Sequence, residues 1–516
     1  MTGADLVLSF LEQTGIRHLF GNPGTTELPL MAALPRFPLL IYHPVLQESV
    51  AVSMADGYAQ SARQLAAVLL HATGGVANGL GLLYNAARAG TPLLVVAGQQ
   101  SRSLALQEGF LHSDMETWLR PLVKWAVEVR TPDDLLRALR RAVHTAVAAP
   151  SGPVAVIIPV DLLAAAVPPP LARDLVAVPC RMPEEASDNT LAALAHVLSE
   201  ARRPAVLAGD HIARETGGPA ALTRLLDRTG WPLWLESYPT RAIYPANGPA
   251  LAGILPRTPG AVAQALAPYD LVVAVGARLF EPFLDDGGTP LPAGTRLVAL
   301  DQASEEIGRH VPITIGYAGP LAPLLDRLRP LLQAGSRTDT LGLRPHPLWA
   351  ALGAGLSPDT IIVEEAISWR LPILASLPRP LPDTLYGQKG GTIGWALGAA
   401  LGISLARPGQ PILAIIGDGS FLMAVQGLWN AARLKTPVTY LVLDNAGYGI
   451  LRQVAATFYP DAPATGLEIS GVTWPALCDA FGIPFADVAG DRLAAAVSEA
   501  LAQRTPHVLR LKVSDP

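Results

Sequence analysis

The sequence predicts an α/β protein made of three doubly wound domains, each with a parallel sheet that is covered by helices on both faces. The chain has 516 residues, which is enough for about three domains of ordinary size. Short apolar runs alternate with helical patterns, as is typical of strands buried on both faces. Two polar, proline-containing segments at 166–185 and 331–347 interrupt this rhythm. The predicted domains are therefore residues 1–165, 185–335 and 345–516.

The first predicted domain has five strands, and its clearest helices are expected at Glu48–Ala62 and Val76–Ala89. Because the strands alternate with helices, consecutive strands should be parallel. The five strands are Ile16–Phe20, Leu39–Tyr42, Ala66–His71, Pro92–Ala97 and Val154–Ile158.

The second and third domains repeat this alternation. The second resembles a dinucleotide-binding architecture but has no GxGxxG motif after its first strand. A nucleotide there is therefore not supported, and binding of FAD or ADP stays an open alternative. Its strands are Ala205–Ala208, Pro232–Leu235, Leu271–Val275 and Arg296–Leu300. The strands of the third domain include Thr360–Val363, Ile412–Ile416, Val438–Leu443 and Val508–Val513.

Charge and cysteine content argue against several classes of partner and site. The net charge is −5 and no block of like charges occurs, so neither nucleic acid nor an anionic membrane is expected as a partner. Cys180 and Cys478 lie in unrelated contexts without metal-ligand spacing. Neither a disulfide framework nor a thiolate metal site is therefore expected.

No segment predicts secretion or membrane insertion. The first 15 residues indicate an amphipathic helix and lack the basic stretch and apolar core of a signal peptide. The apolar run Gly390–Ala406 has about the length of a membrane span. Its many glycines and alanines are more typical of a helix that packs tightly in a soluble core. We therefore expect a cytoplasmic protein.

The strongest chemical signal lies between Gly417 and Gly449. One predicted strand ends at the Gly-Asp-Gly sequence that contains Asp418, and the next ends just before Asn445. Both side chains should lie at the carboxyl edge of a parallel sheet, where open α/β sheets bind ligands. Glycines allow N–H groups to approach phosphate, and Mg²⁺ requires hard oxygen ligands. The connecting segment is expected to form one helix whose apolar face carries Phe421, Val425, Leu428 and Trp429.

The spacing of this motif is more specific than the motif itself. Gly-Asp-Gly alone is an ordinary strand-to-helix turn, but its distance from Asn445 resembles the thiamine-diphosphate (ThDP) motif of thiamine enzymes. The resemblance implies that Asp418 and Asn445 give side-chain oxygens to Mg²⁺ and that Gly447 gives its carbonyl. It also implies that Ser420 contacts the diphosphate. The other cofactor residues expected here are Gly417, Gly419 and Tyr448.

Motifs along the rest of the chain resemble benzoylformate decarboxylase and its relatives. The matching segments are Gly21–Pro29, Leu46–Glu48, Ala55–Ala59, His71, Asn78, Arg120–Trp125, Gly276–Ala277 and Asn445–Arg452. They occur in all three predicted domains, so the resemblance covers essentially the whole chain. It implies pyrimidine-binding, middle and diphosphate-binding domains in a homotetramer built as a dimer of dimers.

The resemblance also places the second half of the cofactor site. ThDP would lie between two subunits, with Glu48 from one and Asp418 from the other. Glu48 would promote ionisation of the cofactor from a mostly apolar pocket, although a glutamate in a helix's first turn is normally just a partner of the helix dipole. Asn78 and the backbone of Gly391 would face the cofactor, and Ile393 would hold its bent shape.

Several positions depart from benzoylformate decarboxylase. Thr25 stands where a substrate-binding serine is expected, and it adds a methyl group to the hydroxyl. His71 matches the first catalytic histidine, whereas Phe283 occupies the place of the second. We hypothesise that His112, in a segment resembling the substrate-pocket loop, partly replaces the missing histidine. A solvent-exposed loop histidine without a catalytic role is the alternative reading.

The substrate pocket has changed as well. Ile450 stands in place of a small residue and Val454 in place of a phenylalanine, so the family's preference for aryl substrates does not transfer directly. The sequence predicts non-oxidative decarboxylation of a 2-oxo acid to an aldehyde and CO₂. Carboligation, as in acetolactate synthase-like and benzaldehyde lyase-like enzymes, is the alternative. A non-catalytic binding subunit with the same fold is the more distant one.

Overall fold

The computed structural model describes residues 1–167, 185–336, 342–377, 382–461 and 465–515. Strands in these residues form three sheets with parallel pairing, and helices connect the strands. The predicted α/β class is therefore confirmed. Most of the first predicted linker, with Cys180, lies outside the described residues, as do residues 337–341 of the second.

The first sheet has one strand more than the sequence predicted. Its strands are β1 (His18–Asn22), β2 (Ile41–Pro44), β3 (Ala66–Leu70), β4 (Leu93–Gln99), β5 (Trp125–Glu128) and β6 (Val154–Pro159), in the order β2-β1-β3-β4-β6-β5. The helices are α1 (Gly3–Gln13), α2 (Leu28–Ala33), α3 (Glu48–Ala62), α4 (Ala72–Ala89), α5 (Met115–Leu119), α6 (Pro132–Val147) and α7 (Val160–Ala164). The five predicted strands are confirmed. The prediction missed β5, a short strand at the sheet edge whose residues are mostly half-exposed.

The second sheet contains the four predicted strands and two more. Its strands are β7 (Pro204–Ala208), β8 (Leu233–Leu235), β9 (Leu251–Ile254), β10 (Leu271–Val275), β11 (Arg296–Asp301) and β12 (Ile315–Ala318), in the order β12-β11-β10-β7-β8-β9. The helices are α8 (Asp188–Ser199), α9 (Asp210–Arg214), α10 (Gly218–Thr229), α11 (Pro259–Leu266) and α12 (Leu321–Leu328). The two unpredicted strands, β9 and β12, are the two edges and are only partly buried.

The third sheet carries the Gly-Asp-Gly motif. The strands are β13 (Ile361–Glu365), β14 (Leu385–Gly387), β15 (Ile412–Gly417), β16 (Val438–Asp444), β17 (Phe485–Val488) and β18 (His507–Lys512), and five of them run in the order β13-β15-β16-β18-β17. The helices are α13 (Pro347–Gly355), α14 (Arg370–Ser376), α15 (Ala396–Ala406), α16 (Asp418–Met423), α17 (Gly427–Leu434), α18 (Gly449–Phe458), α19 (Trp474–Ala480) and α20 (Leu493–Gln503). The four predicted strands are confirmed.

One prediction for this region is wrong, because two helices follow the Gly-Asp-Gly sequence instead of one. α16 ends at Met423 and α17 begins at Gly427. Gly427 lies so close to Leu397 of α15 that a Cβ on it would be 2.2 Å from that side chain. The break in the helix lets the backbone make this approach.

The described chain divides into two compact units. The first contains the described residues within 1–180, 360–370 and 388–516. The second contains the described residues within 181–359 and 371–387. The first unit therefore holds the whole first sheet and the five strands of the third sheet ordered above. The domain bounds from the sequence analysis remain predictions, because these units group residues that contact one another and are not continuous stretches of the chain.

Helix α15 explains the long apolar run of the sequence. Its residues from Ala396 to Ser404 are all buried, and within the first unit it packs against α3. A Cβ on Gly57 of α3 would lie 2.3 Å from the carbonyl oxygen of Ala399, so the two backbones nearly touch. From Ala396 to Ala406 the run is a tightly packed core helix, as predicted, whereas residues 390–395 precede the helix. Among the described residues, no helix combines the length and the apolar character that crossing a membrane requires.

A buried carboxylate holds the start of α15. Glu365, at the end of β13, accepts hydrogen bonds from the backbone N–H groups of Trp395 at 3.0 Å and Ala396 at 2.8 Å. Burial raises the pKa of Glu365 to about 7. The indole N–H of Trp395 donates to Asp56 of α3 at 2.7 Å, so polar bonds reinforce the contact between α3 and α15.

Candidate active site

Glu48 opens helix α3 just after strand β2, and its carboxylate is buried with 6% exposure. The side-chain amide of Asn22 donates to its Oε1 at 3.1 Å, and the amide of Asn78 donates to its Oε2 at 3.0 Å. Asn22 ends β1 and Asn78 lies on α4, so three separate elements meet at this carboxyl group. The arrangement holds a buried carboxyl between two neutral donors, which satisfies its oxygens without neutralising its charge.

His71 lies at the end of β3 and forms a pair with a carboxylate that the sequence analysis did not single out. Its Nδ1 lies 2.8 Å from Oε2 of Glu27, which is fully buried. Because an ionised carboxylate can only accept, Nδ1 is the donor in this pair, and Nε2 is the ring nitrogen that lies outside it. The hydroxyl of Thr26 donates to Glu27 at 2.7 Å and lies 3.1 Å from Nδ1. This pair therefore fixes the orientation of the ring.

Two glycines make room for this pair. A Cβ on Gly24 would lie 2.1 Å from the imidazole of His71, and a Cβ on Gly98 would lie 1.9 Å from Oε1 of Glu27. The N–H of Gly24 also donates to Oε2 of Glu27 at 3.0 Å. A side chain at either position would displace the pair, so the glycine at position 24 is needed for the close approach of the His71 ring.

Substitution of Glu27 by glutamine is expected to lower kcat about 10- to 100-fold. Three donors, from Gly24, Thr26 and His71, converge on its two oxygens, and an amide offers only one oxygen, so one buried donor is left unsatisfied. The kcat values of Glu27→Gln, His71→Ala and the double variant test this. The double variant should be no slower than the slower single variant, because the two residues act as a unit. Multiplicative losses would contradict the pairing.

The structure ties the segment of His112 to the start of α4, next to His71. The hydroxyl of Thr73 donates to the carbonyl oxygen of Leu111 and lies 2.7 Å from the hydroxyl of Ser113. His112 itself is half-buried. The segment that carries His112 is therefore bonded to Thr73, two residues after His71, and a role of His112 in proton transfer remains a prediction.

Thr25 does not make the contact that Thr26 makes. Thr25 begins a single 3₁₀ turn, Thr25–Glu27, and is exposed, whereas Thr26 is buried against Glu27 and His71. Thr25 is therefore exposed beside a buried neighbour, and its role in substrate binding remains a prediction.

Asp418 lies at the carboxyl end of β15, as its position in the motif predicted, and is buried with 2% exposure. Its two oxygens accept from the backbone N–H groups of Gly419 at 2.8 Å and Gly447 at 2.9 Å. Burial, with a smaller contribution from Asp444, raises the pKa of Asp418 to about 6, against the lowering effect of the two backbone hydrogen bonds. A buried carboxylate of this kind is stabilised in its charged form by a nearby cation.

Asn445 and Gly447 follow β16 and lie on the same edge of the sheet as Asp418. The contact between Asp418 and the N–H of Gly447 brings the two loops together. The carboxylate, the Asn445 carboxamide and the Gly447 carbonyl are all hard oxygen donors, which fit Mg²⁺. Within the described residues, no group of three His, Cys, Asp or Glu side chains suits a metal ion. A magnesium ion here would therefore depend on amide, backbone and phosphate oxygens as well as on Asp418.

The remaining predicted cofactor residues surround this edge. Gly417 ends β15, and a Cβ on it would meet only one atom within 4 Å, at 3.9 Å, so the space beside it is open. Gly391 has a φ of +89° and nothing within 4 Å of its Cβ position. Ser420 is buried in the first turn of α16, and Ile393 is half-buried. The ring of Tyr448 covers Gly419, where a Cβ would be 2.8 Å away.

A further group next to Asn445 was missed by the sequence analysis. The side-chain amide of Asn445 donates to Asp515 at 2.6 Å, and the guanidinium of Arg452 donates to both oxygens of Asp515. Arg452 lowers the pKa of Asp515. Asp515 is 70 residues from Asn445 along the chain, and no motif connects them, so the sequence carries no signal for this contact. Glu27 and Asn22, by contrast, lie inside the motif Gly21–Pro29.

Family models for thiamine pyrophosphate enzymes match the chain in three parts. The N-terminal TPP binding domain matches residues 1–117, the central domain matches 191–328 and the C-terminal TPP binding domain matches 376–511. The first contains Glu48 and His71, and the last contains Asp418 and Asn445. The two carboxylate sites described above therefore belong to the two matched TPP-binding regions.

Known proteins are similar to this chain over nearly its whole length. The chain is 32% identical to benzoylformate decarboxylase of Pseudomonas aeruginosa over 97% of both proteins. It is 27% identical to an acetolactate synthase of Arthrospira platensis, covering 100% of this chain and 94% of that protein. A ThDP-dependent 4-hydroxybenzoylformate decarboxylase of Rhodococcus jostii RHA1 superposes with a TM-score of 0.94 at 29% identity, over 100% of both chains.

Proposed function

This chain belongs to the thiamine-pyrophosphate enzyme family that includes benzoylformate decarboxylase, and on that premise we propose that it converts a small 2-oxo acid and a proton into an aldehyde and CO₂. The observation that carries the proposal is the pair of His71 and Glu27. A ring whose Nδ1 donates to Glu27 leaves Nε2 outside the pair, where it can take up a proton and pass on the proton that the aldehyde needs. ThDP, when bound, supplies the electron sink for loss of the carboxylate.

Glu48 is the proposed activator of the cofactor. Its carboxyl group is buried, and its two partners, Asn22 and Asn78, are neutral amides that leave it able to exchange a proton. Asp418, Asn445 and the carbonyl of Gly447 are the proposed Mg²⁺ ligands, and their oxygen chemistry supports that assignment. The buried carboxyl group and the metal site would thus hold opposite ends of one cofactor.

The proposed substrate is a 2-oxo acid whose side chain is aliphatic or aryl. Ile450 and Val454 lie four residues apart on α18, so they share one face of the helix, and both are half-buried. Branched aliphatic side chains at both positions favour an aliphatic or compact substrate over the aryl acids in the names of the relatives. Discrimination from this source should be modest, about 10- to 200-fold.

The deciding experiment measures CO₂ release with ThDP and Mg²⁺ across a panel of aryl and aliphatic 2-oxo acids, with aldehyde and acyloin quantified together. Equal amounts of CO₂ and free aldehyde support the proposed decarboxylase and rank its substrates. If none of these acids released CO₂, the proposal would be overturned.

Carboligation is the second candidate. Phe283, at the position expected for a second catalytic histidine, cannot transfer a proton, and slower protonation would leave time for reaction with another carbonyl compound. The similarity to an acetolactate synthase points in the same direction. CO₂ release that yields mainly acyloin in the panel above would favour this function over aldehyde production.

Replacement of His112 by alanine is expected to reduce kcat for aldehyde formation about 10-fold, because His112 is the proposed substitute for the missing histidine. The ratio of acyloin to aldehyde should rise at the same time. His196, on the exposed face of α8, serves as a control when replaced by alanine. An unchanged rate in the His112 variant would end the hypothesis.

We propose further that the middle domain holds no dinucleotide. The carboxylate of Glu236 accepts from the backbone N–H groups of Asp210 and Arg278, each at 3.2 Å, just after strands β7 and β10. A Cβ on Gly209 would lie 2.4 Å from the same carboxylate. Glu236 therefore takes the N–H groups that a phosphate would use. A visible flavin absorption spectrum in the purified protein would contradict this.

The proposed oligomeric state is a homotetramer in the cytoplasm, with ThDP bound between subunits. In the described residues no hydrogen bond joins the Glu48 group to the Asp418 group, and each is built separately. Light scattering of the purified protein measures the assembly directly, and a monomer that retains full activity would contradict it.

A further inference from the structure

We propose that Asp515 is a positioning residue for the metal site, because it orients the carboxamide of Asn445. This inference rests on the proposed function of Asn445 as an Mg²⁺ ligand. It concerns the segment Val513–Asp515, which follows strand β18. No motif of the sequence points to this segment.

The polarity of the contact sets the direction of the amide. The Nδ2 of Asn445 donates to Oδ1 of Asp515 at 2.6 Å. A carboxylate cannot donate, so only the nitrogen end of the amide can face it. The Oδ1 of Asn445 must therefore point to the opposite side, where it is available to a cation. Without Asp515, the hydrogen bond that holds the amide in this orientation would be lost.

Arg452 holds the carboxylate in place. Its Nε donates to Oδ2 of Asp515 at 2.6 Å, and its Nη2 donates to Oδ1 at 3.0 Å, which makes a two-pronged pair. The same Nη2 donates to the backbone carbonyl of Asn445 at 3.0 Å. Arg452 thus binds both the loop that carries the ligand and the residue that orients it.

The backbone that leads to Asp515 is fixed as well. The N–H of Val513 donates to the carbonyl of Asp444 at 3.0 Å, and the indole N–H of Trp369 donates to the carbonyl of Ser514 at 3.1 Å. Gly449 leaves room for the contact, because a Cβ there would lie 2.3 Å from both Nδ2 of Asn445 and Oδ1 of Asp515. The segment is therefore built to place one carboxylate against one amide.

The test compares Asp515→Asn with Ser514→Ala. Ser514 belongs to the same segment, is exposed and makes its bond through the backbone, so its variant is a matched control. The Mg²⁺ concentration at which half of the protein has bound ThDP is measured by calorimetry, without substrate. We expect a rise of about tenfold for Asp515→Asn and none for Ser514→Ala, since groups that orient metal ligands typically change affinity 10- to 100-fold.

A purely structural role would give a different pattern. At saturating Mg²⁺ and ThDP, kcat of Asp515→Asn should return to within about twofold of the wild-type value, and the Tm of the cofactor-free protein should stay unchanged. The double variant Asn445→Asp/Asp515→Asn reverses the polarity of the bond and should bind Mg²⁺ more tightly than Asn445→Asp alone. That single variant sets two carboxylates against each other.

The outcomes separate this inference from the proposed function. Wild-type protein that binds ThDP only with Mg²⁺, together with an unshifted Asp515→Asn variant, would overturn the inference and leave the function standing. Wild-type protein whose ThDP binding does not respond to Mg²⁺ would overturn both. A lowered Tm without any shift in the Mg²⁺ requirement would reduce Asp515 to a structural residue and also overturn the inference.

Discussion

Replacement of Glu48 by glutamine is expected to lower kcat for 2-oxo acid decarboxylation by at least about 100-fold. The carboxyl group is buried and held by Asn22 and Asn78, so the site cannot easily recruit water or another acid in its place. Glutamine keeps the size of the side chain but cannot exchange a proton with the cofactor. Initial rates at saturating ThDP and Mg²⁺ measure the effect.

A control is needed because the glutamine could also disturb cofactor binding. Calorimetry should show ThDP affinity within about tenfold of the wild-type value, since the lost step is proton exchange and not attachment. Glu499→Gln removes a carboxylate from an exposed ion pair with Arg492 on the last helix and should leave kcat unchanged. If Glu48→Gln kept more than half of the wild-type kcat, Glu48 would not be the activating group.

Replacement of Asp418 by asparagine is expected to weaken Mg²⁺-dependent ThDP binding by more than about 100-fold. Asp418 is the one carboxylate in the proposed ligand set, and its charge is what a dication needs in a buried site. The loss should appear in calorimetry as well as in activity. Asp487→Asn, which breaks an ion pair with Arg510 at an exposed position, is the matched control and should bind normally.

The same residue predicts how cofactor binding depends on pH. Burial raises the pKa of Asp418 to about 6, so in the cofactor-free protein a proton competes with Mg²⁺ for the carboxylate below that pH. Apparent Mg²⁺ affinity should therefore rise by about fivefold from pH 5 to 6, by about tenfold in all from pH 5 to 7, and level off above that. An affinity that is flat over this range would contradict the assigned ligand.

Both predictions concern residues at the carboxyl ends of strands in the two sheets of the first unit. Glu48 and His71 lie where strands of the first sheet end, and Asp418 and Asn445 lie where strands of the third sheet end. Parallel strands bring their carboxyl ends to one side of a sheet, and loops there carry little of the packing that holds the core. This is why chemistry can change at these positions without a change of fold.

The fold could be predicted from sequence where burial is strongest. Most interior strands are almost wholly apolar, and all interior strands were predicted, whereas the edge strands β5, β9, β12 and β17 were not, because partly exposed strands lose that apolar signal. The helical break before Gly427 was also missed. It depends on a contact with Leu397 that local pattern cannot show.

The sequence by itself determined the fold class, the family and the candidate cofactor residues, because local periodicity and motifs of fixed spacing indicate them. Only the tertiary structure decided how those residues are held. The carboxylate of Glu27 on His71, the amides on Glu48 and the contact of Asp515 with Asn445 join residues 26 to 70 positions apart. The physical reason is that a hydrogen bond depends on distance in space, and a parallel sheet brings distant parts of the chain to one edge.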